Sequence, residues 1–234
     1  MSRFGLLPLF AWLSSAFPIG AFAYSHGLEQ AVADGDVRDA VTLGRWLGDL
    51  LAHGSIRTDL ILAACAARTF VADGEAPGQD DAQPPDFREV AELAIALQPS
   101  RERRLETCQQ GRSFLEAVCA AWPSPALIAL LSASPEIAYP LAFGAAIRAH
   151  DLPLRPALEA YALQFAGNLV SAVVRLGIVG QTEGQKVVAQ CAGAVSSLAE
   201  QAERAGLGDL GSAAFRSDLA SLRHETKYSR IFRS

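Results

Sequence analysis

Apolar residues return at intervals of three and four along almost the whole chain, and no useful length of sequence alternates apolar with polar. That period belongs to helices with one buried face; a half-buried strand needs a period of two. Val37, Val41, Leu47, Leu50 and Leu51 carry it through one segment. Leu60, Ala64, Ala67 and Val71 carry it through a second, which Ser55 is placed to cap. Asp86 can cap Phe87–Leu97, and Ser100 can open Arg101–Trp122. Pro99, Pro123, Pro125 and Pro135 punctuate the short helices that follow. Pro153 leads into a long apolar helix over Arg155–Arg175. Thr182-Glu183-Gly184-Gln185 has capping-box spacing and opens a helix to Ala205, and Ser212 starts the last one. The chain is therefore expected to be all-α: a single globular domain over residues 1–234, of about ten helices, with one or two central. Asp73–Pro85, reading DGEAPGQDDAQPP, is acidic and proline-rich and is expected to be a flexible loop.

Half the residues are apolar, too many for a disordered protein. The formal net charge of −5 disfavours a whole-domain nucleic-acid surface. The cysteines (Cys65, Cys108, Cys119, Cys191) form no C-x-x-C pair and have no zinc spacing, so they read as small buried hydrophobes in a reducing compartment. His26, His53, His150 and His224 are equally scattered. No tight metal site is expected within one chain, although a symmetric dimer would bring two copies of His26, His53 or Cys191 together.

The amino terminus imitates export signals. Arg3, the apolar run Phe4–Leu13 and Ala21-Phe22-Ala23 resemble a secretory signal with its cleavage site, and Phe4–Leu28 carries no formal charge. Gly5, Pro8, Pro18 and Gly20 interrupt the run, so the reading is a buried helix near Leu6–Ser15 followed by a Pro-Ile-Gly turn.

No catalytic constellation emerges. Gly177, Gly180, Gly184 and Lys186 have the wrong spacing for a phosphate loop, and no strand precedes them. Ser25-His26 lacks the nucleophile elbow, residue 23 being alanine, and Ser25 reads as a cap for a helix beginning near His26. Arg101, Glu102, Arg103, Arg104 and Glu106 crowd one helix start and read as a solvated face, with a docking surface as the rival. The last segment, HETKYSRIFRS, interleaves Tyr228, Ile231 and Phe232 with Lys227, Arg230 and Arg233. Such a tail suits single-stranded nucleic acid, a partner groove, or a free end.

Four segments together resemble the UreF family of urease accessory proteins. Phe17–Glu29 (FPIGAFAYSHGLE) resembles its amino-terminal signature and HETKYSRIFRS its carboxyl-terminal one; SRERRLETCQQG (Ser100–Gly111) and RLGIVGQTEG (Arg175–Gly184) resemble segments between them. Phe17 and Ile231 stand where the family usually has leucine, and Asp73–Pro85 looks like an insertion. The resemblance implies an all-α, cytoplasmic protein that is not an enzyme and holds no cofactor. It implies a homodimer and a scaffold joining a UreD/UreH-like accessory protein and a UreG-like GTPase on apo-urease, gating GTP-dependent nickel delivery, with no nucleic acid or membrane as partner. The matching positions place partner contacts on Tyr24, Ser25, His26 and Glu29, on Arg175 and Gln181, and on His224, Glu225, Tyr228, Ser229, Arg230, Phe232 and Arg233.

Three expectations complete this reading. The apolar, small-residue stretch Leu154–Val188 exceeds one face's needs and is expected to supply a dimer surface. The tail His224–Ser234 is expected to be poorly ordered alone and to form a helix, with Tyr228, Ile231 and Phe232 as one stripe, in a UreD-like groove. The rival class is a helical small-molecule-binding protein or hydrolase, whose sign would be a deep pocket with perturbed titratable groups.

Overall fold

The computed structural model describes residues 5–73 and 86–234, and among them there are eleven α-helices and no strand. The first five are α1 (Leu7–Trp12), α2 (Leu28–Ala33), α3 (Ala40–His53), α4 (Ser55–Thr69) and α5 (Phe87–Ala96). Then come α6 (Arg101–Ala121), α7 (Pro125–Ala133), α8 (Tyr139–Ala149), α9 (Leu154–Arg175), α10 (Gln181–Arg204) and α11 (Phe215–His224). Short 3₁₀ turns cover Ala21–Ala23 and Leu207–Asp209. Of the Asp73–Pro85 loop, residues 74–85 lie outside the described residues. Asp73 itself is anchored: its carboxylate accepts from the Ser124 hydroxyl (2.9 Å) and the Ala126 N–H (2.7 Å), which caps α7.

α4 and α8 make the centre. Every residue of α4 from Thr58 to Ala67 is buried, as is α8 from Tyr139 to Ile147. The two cross at backbone contact because Gly144 carries no side chain: a Cβ there would lie 2.3 Å from the Ala63 carbonyl oxygen. α3, α5, α9 and α10 pack around α4, and α9 and α10 lie against each other. Two stretches, Ala40–Thr69 and Leu154–Arg175, are long and apolar enough to cross a bilayer, but 78% and 56% of their most apolar windows are buried inside the fold. Much of the apolar surface of α9 packs on α4 and α10, and among its large apolar side chains only Leu163 is exposed.

Local chemistry explains where several helices start. Asp39 and Thr42 form a reciprocal capping box on α3, Asp86 caps α5 and Ser100 caps α6, each accepting a backbone N–H of the first turn. Three expected caps are elsewhere. Gly54, not Ser55, precedes α4, since α3 turns into α4 through one extended residue packed against Leu50. α10 begins at Gln181, and Thr182 and Gln185 stay exposed without capping it. α11 begins at Phe215, three residues after Ser212, whose hydroxyl accepts the Ala214 N–H instead.

The amino-terminal helix is shorter than the expected 6–15. α1 buries Leu9 and Trp12 but leaves Leu7 69% and Phe10 72% exposed. Six residues make under two turns, so one face reaches the core and the other faces out.

Candidate partner-binding site

The tail is not a free end. Residues 225–234 run as irregular chain across α2, the start of α6 and the loop before α2, with Phe232 and Ser234 buried. The expected apolar stripe does not form: Phe232 turns inward while Tyr228 and Ile231 stay exposed. This corrects the expectation of a disordered tail awaiting a partner's groove. The physical reason is that its backbone polar groups find partners within the domain.

Glu29 supplies the first of these. Its carboxylate accepts the main-chain N–H of Ile231 (2.8 Å) and of Phe232 (3.0 Å) and lies 3.2 Å from His224 Nε2. Burial alone would raise its pKa; the two backbone N–H groups and His224 outweigh that and hold it below the usual carboxylate range. The loop before α2 supplies the rest. The Ser25 N–H donates to the Ser234 carbonyl oxygen (2.9 Å), the Ser25 hydroxyl donates to the same oxygen, and the Arg233 N–H donates to the Ala23 carbonyl (2.8 Å). Ser25 also accepts the Glu29 N–H (3.3 Å), but α2 starts at Leu28 with Gly27 before it, so Ser25 does not cap a helix beginning near His26 as expected. Its hydroxyl proton is committed to Ser234, not to a histidine base, so the pair cannot work as a hydrolase nucleophile.

α6 forms the floor, and its first turns are not the solvated face expected of them. Arg103 and Glu106 are buried. Glu106 pairs with Arg103, stands 2.7 Å from His26 Nε2, and accepts from Gln110 (3.1 Å) and the Ser234 hydroxyl (2.7 Å). Burial would raise the Glu106 pKa; Arg103, His26 and Ser234 overcome it and hold it at about 2. His26 is pushed down to about 4, first by burial and then by the Arg103 guanidinium, against the pull of Glu106. Glu102 pairs with Arg230 and lies 2.7 Å from His224 Nδ1, and Glu225 accepts the Arg101 N–H (2.7 Å) at the open end of α6. Arg104, paired with Glu136, keeps an exposed ion pair there.

Two further contacts close the site. Arg175, at the end of α9, donates to the Phe22 carbonyl (2.6 Å) and lies 4.4 Å above the Phe232 ring. Gly27 has φ +76°, and a Cβ there would stand 2.6 Å from Ser221 N, so glycine lets α11 lie directly on the start of α2. The Ser221 and Ser100 hydroxyls meet at 2.6 Å.

Of the residues expected from sequence, Ser25, His26, Glu29, Arg175, His224, Glu225, Arg230, Phe232 and Arg233 therefore converge. Tyr24 is buried beside them, its hydroxyl donating to Gln109. Tyr228 and Ser229 face outward on the same strap. Gln181 stands apart, exposed at the first residue of α10. Sequence reasoning passed over Glu102, Arg103 and Glu106 as site residues. Their signal was the spacing of three and four that puts all of them on one helix face. Cys65 and Cys191 are buried while Cys108 and Cys119 are half-buried, and among the described residues no group of three or more His, Cys, Asp or Glu side chains could hold a metal ion.

The fold is an all-α domain whose buried polar side chains clamp the chain's own last segment. Comparison with known proteins narrows this. The UreF family profile matches residues 37–192. A protein of Xanthobacter autotrophicus named urease accessory protein UreF is 56% identical over 230 residues, covering 98% of this chain and 91% of the relative. Proteins of that name from Methylorubrum populi (52% over 229 residues; 97% and 98%) and Methylobacterium radiotolerans (53% over 232 residues; 97% and 96%) are similar to it over the same extent. The chain belongs to the UreF family, which consists of urease accessory proteins and not of enzymes. Both terminal signatures lie outside the stretch matched by the profile.

Proposed function

We propose that this chain is a cytoplasmic scaffold of urease maturation. It joins a UreD/UreH-like accessory protein and a UreG-like GTPase on apo-urease and gates GTP-dependent delivery of nickel, which passes as cargo and is not retained by this chain. The observation that carries the reading is the clamped tail. Four segments far apart in sequence are spent on fixing a strap that presents Tyr228, fully exposed, and Ile231, 70% exposed. Phe215, Leu219 and Leu222, at i, i+4 and i+7 on α11, add three more exposed apolar side chains. Charged side chains lie beside it: Lys227, and Arg223 and Arg230 paired with Asp34 and Glu102. An apolar centre with a charged rim is the anatomy of a protein interface.

Within this reading Ser25, Glu29, His224 and Phe232 act by holding the strap, and Tyr228, Ser229, Ile231 and Arg230 meet the UreD-like partner. The homodimer surface is assigned to α1, whose Leu7 and Phe10 are the most exposed large apolar side chains near the amino terminus apart from Phe22. Co-purification of the chain with its UreD-like and UreG-like partners, with and without GTP and nickel, tests the proposal. A stable ternary complex that responds to GTP is expected. Failure to capture either partner contradicts it.

A further inference from the structure

We draw no further inference here: the strongest candidate, the groove of about 240 Å³ between α3 and the start of α11, lined by the buried Trp46 and the exposed Phe215, carries nothing, because its charged lining is of both signs (Asp49 and Arg216) and nothing in the structure shows what covers it.

Discussion

Glu29 and Phe232 stand 203 residues apart in sequence and are joined by a hydrogen bond of 3.0 Å from the Phe232 N–H to the Glu29 carboxylate. The same carboxylate takes the preceding N–H, so one side chain on α2 does for the tail what a neighbouring strand would do for an edge. Glu29→Gln should weaken both bonds by removing their charge assistance, at a cost of about 1–3 kcal/mol. Limited proteolysis by trypsin at Lys227 and Arg230 reads the release; cleavage should accelerate in the variant, and unchanged cleavage would show that Glu29 does not hold the strap.

Phe232 anchors the strap by burial beneath the Arg175 guanidinium. Phe232→Ala should destabilise the chain by about 3–5 kcal/mol, as for other large core truncations. Removing residues 225–234 should lower the melting temperature as well, since α6 loses its Glu225 cap and Glu106 its Ser234 donor. A melting temperature unchanged by either alteration would restore the picture of a free tail.

Two buried groups set opposing responses to pH. His26 takes its proton near pH 4 in the folded chain against 6.5 ordinarily, so the unfolded chain binds more protons between those values and stability falls as pH drops through them. Asp59, bonded to the Tyr161 hydroxyl at 3.0 Å, is pushed by burial to about 6 from 3.8. There the folded chain binds more protons, and stability falls as pH rises through that window. Asp59→Asn should therefore steepen the loss of stability on acidification between pH 6.5 and 4, and His26→Phe should flatten it. Chemical denaturation at several pH values across that window measures both slopes; identical slopes in all three proteins would contradict the assignment.

The helices were legible because burial writes itself into a period of three and four, and because Asp86 and Ser100 announce their caps. Gly54 was not, since a corner made by one extended residue has no capping side chain to read. The site was half legible. The family signatures named Glu29, His224 and Phe232, but a charged run such as Arg101–Glu106 looks the same in sequence whether water or a tail covers it. The tail was misread because Tyr228, Ile231 and Phe232 suit a helical stripe, and the N–H acceptors that defeat the helix lie about two hundred residues away.

Leu7 and Phe10 project from α1 on the face turned away from the core. Under the proposed homodimer, Leu7→Arg with Phe10→Arg should leave the melting temperature nearly unchanged, exposed positions costing within about 0.5 kcal/mol each. It should convert the protein to monomer in sedimentation at micromolar concentration. A dimer that survives the change places the interface elsewhere.

Tyr228 and Ile231 separate the strap's outward role from its inward one, because neither is buried in the isolated chain. The direct measurement is capture of the UreD-like partner by the Tyr228→Ala, Ile231→Ala double variant, with its melting temperature determined beside that of the unaltered chain. The account predicts an unchanged melting temperature and capture weakened at least about tenfold, the loss of two apolar anchors from an interface. Undiminished capture by the folded variant would contradict the claim that the clamped tail presents this face to its partner.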